Sequence, residues 1–294
     1  MMRDDFCAFI LTHGRPDRVH TYQTLQKSGY TGKVFIVIDD EDKAESQYRQ
    51  KFGDQVLKFD KRAIAARIDE GDNFQDRRAI IYARNACWEL ARQVGCRYFI
   101  QLDDDYTSFQ FRYTSKGQYG YVPIHTTLDD VLTAMLEFFM QTPMLTLALS
   151  QGGDYIGGSY LGGVASLGSH RDPRLKRKAM NSFICSVDRE FEFIGRVNED
   201  VNTYVTLGRQ GHLFCTVMQA QLFQKQTQTN AGGMTELYLD CGTYLKTFYS
   251  VMYAPSCVKV GVLGDPRRPH YRMHHDIDWD SAAPAILDER WKKR

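Results

Sequence analysis

The N-terminal third of the chain alternates short apolar runs with amphipathic stretches. Cys7 to Leu11, Val34 to Ile38, Val56 to Phe59 and Tyr98 to Leu102 are apolar segments of strand length without a strict polar alternation. That pattern reads as strands buried on both faces. Between them, Arg18 to Lys27 has helical spacing and stops near Gly29, and Ala44 to Phe52 also reads as a helix. Ala79 to Val94 places Ile80, Ala83, Cys87, Leu90 and Ala91 on one helical face ahead of Gly95. Repeated βα units of this kind predict a parallel sheet with right-handed crossovers.

Past Asp105 the pattern changes. Phe109 to Val122 mixes aromatic and polar residues, as an antiparallel hairpin does. Thr127 to Gln141 reads as a helix with Thr126 or Thr127 as N-cap, and Leu145 to Leu149 as a strand. A glycine-rich passage from Gly152 to Gly168 follows, then a basic cluster. The pair Glu199-Asp200 stands as if it opened a helix through Thr203 to Leu207, with Gly208 behind. Gln224 to Gly233 has loop composition, fitting either a mobile lid or an ordinary surface loop. No Pro/Ser-rich linker or internal repeat divides the sequence, so one continuous domain is the simplest organisation.

Composition narrows the class. With 43% hydrophobic and 25% charged residues, the 294-residue chain fits a soluble globular protein. No apolar stretch reaches the roughly 18 residues of a membrane span, and the N-terminus has no signal-peptide pattern. Seven scattered cysteines without a CxxC pair point to reduced core thiols in a cytoplasmic protein, not to zinc. A net charge of +1 neither announces nor excludes a nucleic-acid partner, because distribution matters more than the total. One basic cluster comprises Arg171, Arg174, Lys176, Arg177 and Lys178. A second comprises Arg267, Arg268 and Arg272, with Arg290, Lys292, Lys293 and Arg294 at the terminus. Each is either a solvated face or a phosphate contact.

Candidate chemistry sits at the strand ends. Thr12-His13-Gly14-Arg15, Asp39-Asp40 and Asp103-Asp104-Asp105 each follow an apolar run, where open α/β sheets gather ligand sites. The aspartate triplet is either a solvated acidic turn or a site for a hard divalent cation, since neighbouring carboxylates repel unless a cation sits between them. Gly14 would let the backbone approach a ligand, Asp39 would accept from a base N–H, and among Arg77, Arg78 and Arg84 some would meet phosphate. No GxxxxGK[ST] or GxGxxG loop is present, against a P-loop NTPase or a Rossmann dehydrogenase. Glu199-Asp200 is either a first-turn pair favoured by the helix dipole or a base for an acceptor hydroxyl.

Taken in order, these segments resemble the GT-A glycosyltransferases. Phe9-Ile10-Leu11-Thr12-His13-Gly14-Arg15-Pro16, Ile36-Val37-Ile38-Asp39-Asp40, the Asp-x-Asp within Asp103-Asp104-Asp105 and Gly195-Arg196-Val197-Asn198-Glu199-Asp200 carry the likeness over roughly residues 6 to 215. Within that superfamily the chain looks most like phage TET-associated glycosyltransferases, which act on 5-hydroxymethylpyrimidines in DNA. The resemblance implies an α/β fold of GT-A, Rossmann-like type: a mixed, mostly parallel central sheet flanked by helices in a single domain. Residues 1–106 would form its nucleotide-binding half, and 107–294 its acceptor half with a C-terminal extension. It implies a UDP-sugar donor contacted by Thr12, Gly14, Arg15, Asp39, Arg84 and Asp104. A divalent metal, Mn²⁺ or Mg²⁺, would sit on Asp103 and Asp105, with His270 or His274 of the group His270, His274 and His275 as further ligand. Asp200 would be the base with Glu199 beside it. Double-stranded DNA carrying 5-hydroxymethylcytosine or 5-hydroxymethyluracil would be the acceptor, held by Arg171, Arg174, Lys176, Arg177 and Lys178, in the host cytoplasm if the gene is a phage's. Two enzyme alternatives remain: another acceptor (glycan, protein or lipid) and nucleotidyl transfer. A catalytically silent binding module is the third.

Overall fold

The computed structural model describes residues 1–72, 74, 76–111, 126–151, 175–176, 179–224, 237, 242, 244–263, 267, 272–282 and 289. Four parallel strands begin the fold: β1 (Phe6–Leu11), β2 (Lys33–Asp39), β3 (Val56–Phe59) and β4 (Tyr98–Asp103), arranged β3-β2-β1-β4. Every residue of β1 is buried, because the sheet is covered on both sides. Ala8 and Ile10 join one apolar cluster while Cys7, Phe9 and Leu11 join the other. That double burial explains the lack of polar alternation in the sequence.

Helices α1 (His20–Lys27) and α2 (Glu45–Phe52) cover the first face through Leu25, Tyr48 and Phe52. A five-residue helix not foreseen from the sequence, α3 (Lys61–Ala65), follows β3 and is capped by the Asp60 carboxylate. Helix α4 (Ile81–Gln93) covers the second face. A one-sided apolar stripe including Ile80 and Ala83 was expected there. Instead those two are only partly buried, and Tyr82, Arg84, Asn85 and Trp88 are enclosed. The reason is a second layer: Trp88 packs edge-on against Phe191 at 5.0 Å, so α4 is covered from both sides.

The second half extends the same sheet. It contributes β5 (Tyr106–Phe111), α5 (Leu128–Met140), β6 (Met144–Gln151), β7 (Leu175–Lys176), β8 (Ser182–Ser186), α6 (Glu199–Arg209) and β9 (Leu213–Gln224). Thr127 caps α5 in a reciprocal pair with Asp130. Among the described residues the sheet has nine strands, in the order β3-β2-β1-β4-β8-β6-β9-β5 with β7 beside β9. The architecture is thus the expected mixed α/β sheet between helices. Strand β5 pairs antiparallel with the distant β9, and the expected hairpin over Phe109 to Val122 lies, past Phe111, outside the described residues.

This order forces a curl. Only Asp104 and Asp105 separate β4 from β5, yet three strands lie between them in the sheet. A flat sheet would hold β4 and β5 about 19 Å apart, at roughly 4.8 Å per strand. Three peptide units reach only about 11 Å. The sheet therefore bends round until its far edge returns to the carboxyl end of β4.

Beyond this sheet, α7 (Leu245–Tyr253) packs with a two-stranded ribbon of β10 (Val258–Leu263) and β11 (Arg272–Ile277), followed by α8 (Trp279–Ala282). Trp279 stacks on Tyr204 of α6 at 5.8 Å, fixing this unit to the main body. Six cysteines are buried as free thiols, and Cys241 lies outside the described residues. Among the described residues no helix is long and apolar enough to cross a membrane.

Candidate active site

Strand β1 is the topological switch point. The chain proceeds from it to β2 and β3 on one side and places β4 on the other, which opens a crevice at the strands' carboxyl ends. Leu11 is in register with Asp103, so the loop after β1 faces the aspartate triplet.

The three aspartates divide. Asp104 is 3% exposed; it accepts from Thr12 Oγ1 at 2.6 Å and pairs with Arg15 Nη2 at 3.2 Å. Burial pushes its carboxyl above the usual range, against Arg15 and Thr12. Asp104, expected to contact the donor, anchors the β1 loop through these two contacts. Asp103 and Asp105 remain half-buried at the crevice.

Asp103 Oδ1 accepts from Arg84 Nη2 at 3.1 Å, and Arg84 Nε donates to Glu199 Oε1 at 2.8 Å. The guanidinium stacks over the rings of Phe183 and Phe193, at 4.7 and 5.8 Å, and is 2% exposed. Its charge is locked in, because Asp103 and Glu199 outweigh the burial cost. The cation between the carboxylates is thus in part a protein side chain. Arg84, expected at phosphate, joins the Asp triplet to the Glu199-Asp200 pair, and its Nη1 makes no hydrogen bond among the described residues.

Glu199 and Asp200 open α6, as expected. Asp200 is 8% exposed, and its carboxyl is pushed up to about 6 by burial and then by Glu199, against the Val201 N–H, Arg84 and Lys246. Gly195, which begins the motif, has φ +80°, and a Cβ there would lie 2.3 Å from Asn202 Nδ2. Only glycine fits.

The loop after β1 is pinned by groups that sequence reading left unassigned. Tyr48 OH contacts Thr12 Oγ1 at 3.0 Å and accepts from the Arg15 N–H at 2.8 Å. The Gly14 N–H donates to Asp42 at 2.7 Å. Asp39 Oδ2 lies 2.7 Å from His13 Nδ1 and 3.3 Å from Lys61 Nζ. Burial raises the Asp39 carboxyl, but His13 and Lys61 bring it below its usual value, while Asp39 raises His13. Asp42 closes the acidic run Asp39-Asp40-Glu41-Asp42 after β2. Tyr48 and Lys61 carry no local signal, since their partners are remote in sequence. Gly14 has φ +68°, and a Cβ there would meet nothing within 4 Å, so the crevice is open at this point.

The C-terminal histidines divide as well. His270 lies outside the described residues; His274 and His275 sit on β11, with ring centroids 4.0 Å apart. His275 Nδ1 is 3.4 Å from Asn198 Nδ2, so β11 reaches the α6 entrance. Among the described residues no group of three or more His, Cys, Asp or Glu side chains is arranged to hold a metal ion. The donor chemistry still fits a hard divalent ion. Burial, with Asp105, Glu199 and Asp104, pushes the Asp103 carboxyl up to about 7 against Arg84. A surplus of carboxylate charge is what such a cation relieves, and Mg²⁺ commonly takes only one or two carboxylates beside phosphate oxygens and water. Of the basic cluster, Lys176 enters β7 opposite Thr216, while Arg171, Arg174, Arg177 and Lys178 lie outside the described residues.

A family model described as TET-Associated Glycosyltransferase matches residues 6–233. The chain belongs to this family. A TET-associated glycosyltransferase is an enzyme of sugar transfer, and the match spans both carboxylate motifs. No curated protein sequence matches the chain significantly. Among solved structures, glucosyl-3-phosphoglycerate synthase from Mycobacterium tuberculosis with Mg²⁺ and UDP superimposes at TM-score 0.46 and 10% identity, over 92% of this chain and 86% of that one. Its complex with Mn²⁺, UDP and phosphoglyceric acid gives the same figures, a TM-score of 0.46 and 10% identity. A further mycobacterial protein gives 0.45 and 9%, over 93% and 84% of the two chains. Likeness at this level bears on neither the site nor the substrate of this TET-associated glycosyltransferase.

Proposed function

We propose that this enzyme transfers a sugar from a UDP-sugar to the hydroxymethyl group of 5-hydroxymethylcytosine or 5-hydroxymethyluracil in double-stranded DNA, with Mn²⁺ or Mg²⁺. The observation that carries the reading is the Asp103–Arg84–Glu199 bridge, which joins an Asp-x-Asp strand end to a buried Glu-Asp pair. The TET association in the family's name supports a hydroxymethylated base as acceptor.

In this reading Asp103 and Asp105 would hold the metal, whose positive charge would stabilise a leaving diphosphate. The Thr12–Arg15 loop carries the nucleotide against the open face of Gly14, and Asp39 faces the base. Asp200 takes the proton from the acceptor hydroxyl as that oxygen bonds to the anomeric carbon and the bond to UDP breaks. Arg84 fixes Glu199 and keeps the two carboxylate motifs from repelling each other. A hydroxymethyl group inside a duplex must be flipped out or met in a distorted helix, and the 171–178 basic residues would hold the phosphates. Residues 1–106 then serve the donor and 107–294 the acceptor.

The test is an assay with UDP-sugars, Mn²⁺ and duplex DNA with and without 5-hydroxymethylpyrimidine, read by mass shift of the nucleosides. Transfer restricted to the modified DNA is expected. Full transfer to a glycan or protein with none to DNA removes the acceptor assignment; no donor turnover with any acceptor removes the UDP-sugar assignment.

A further inference from the structure

We infer that the C-terminal unit of α7 and the β10–β11 ribbon, beyond the family-matched residues, is a clamp that positions the Glu199-Asp200 turn through Asn198 and Ser250. The inference deepens the reading of Asp200 as the base and rests on it.

The turn is built against local preference. Asn198 occupies the N-cap position of α6, where an asparagine ordinarily accepts from a first-turn N–H. Here it makes no side-chain cap, and its φ of 62° is left-handed. Its Nδ2 donates instead to Ser250 Oγ of α7, at 2.7 Å, and lies 3.4 Å from His275 Nδ1 of β11. Ser250 Oγ in turn donates to Asn202 Oδ1 at 2.9 Å, and Asn202 Nδ2 donates to the Val197 carbonyl at 2.9 Å. Asn198, Asn202 and Ser250 are 8%, 1% and 1% exposed.

A second contact on the same motif comes from the same helix. A Cβ on Gly195 would lie 2.7 Å from Tyr253 Cε2. Tyr253 OH also donates to the Asp69 carbonyl at 3.2 Å, which accepts from the Gly195 N–H at 2.7 Å. Lys246, one turn before Ser250, adds positive charge beside Asp200 and Glu199. The turn is therefore gripped between Asp69 and α7. A left-handed asparagine persists only when its surroundings over-determine it, and a closed buried hydrogen-bond network does that. General bases act only when held within a fraction of an ångström of the productive position.

The full chain is compared with Ser250→Ala, Asn198→Gly and the double variant. Glycine accepts the left-handed backbone freely, so Asn198→Gly separates conformation from the side-chain contact. Each single variant is expected to lower kcat about tenfold at saturating donor and acceptor. The double variant should lose less than the product of the two single losses, because the two residues share the Asn198–Ser250 hydrogen bond. UDP affinity with Mn²⁺, measured by calorimetry, should stay within about twofold, and amide exchange across residues 198–202 should quicken in all three. A wild-type kcat in either single variant, losses that multiply in the double one, or unchanged exchange overturns the clamp. If the unmodified chain transfers no sugar, the function proposed above fails by itself. The exchange measurement then decides: quickened exchange keeps the clamp and unchanged exchange removes it.

Discussion

Asp104 and Asp200 are both buried aspartates, 3% and 8% exposed, and they live in opposite circumstances. Asp104 is met by a threonine hydroxyl and an arginine, each from the loop it secures. Asp200 accepts from its own neighbour, the Val201 N–H, and burial, reinforced by a second carboxylate beside it, pushes it up to about 6. A buried acid with partners fixes a loop. A buried acid pressed by a like charge is ready to hold a proton. Sequence spacing makes the two look equivalent, and only their surroundings separate them.

The sharpest way to break this contrast is Asp200→Asn. If Asp200 is the base, kcat should fall about 10²- to 10⁴-fold while UDP–Mn²⁺ affinity holds; steady-state kinetics with calorimetry checks both. Next comes Arg84→Met, which strands Asp103 and Glu199 against each other. Removing one partner of a buried ionic group costs about 3–5 kcal/mol, read by urea denaturation, with the affinity for Mn²⁺ altered as well. Asp104→Ala should act on stability, by about 1–3 kcal/mol, because it leaves Thr12 and Arg15 without their acceptor. Should Asp104→Ala abolish turnover at unchanged stability, the anchor assignment is wrong.

The pH dependence is the mildest test and has two signs. Asp200 must be ionised to take a proton, so kcat should drop about tenfold per pH unit below about 6 and level off above it. Stability runs the other way. A carboxyl whose folded pKa is raised binds more protons folded than unfolded, so its contribution fades as pH rises from about 4 to about 6. Asp200→Asn should flatten both profiles.

The sequence made the strands legible because burial on both faces leaves an uninterrupted apolar run, as in Phe6–Leu11. It also exposed Asp103-Asp104-Asp105 and Glu199-Asp200, since strand ends and helix starts are local features. What stayed hidden is long-range. Nothing near Arg84 reveals that Glu199 will be its partner, 115 positions away. Nothing near Phe109 reveals that β5 will pair with β9, because that pairing is decided by how the sheet closes and not by adjacency. Helix α3 is too short to show a period, although Lys61 within it holds Asp39.

The two-residue joint between β4 and β5 has a consequence for change over generations. The length of the joint is constrained as well as the two side chains it carries. Adding a residue would turn every side chain of β5 to its opposite face or slip its pairing with β9. Insertions should accumulate elsewhere in this lineage, and the spacing between Asp103 and Tyr106 should stay fixed.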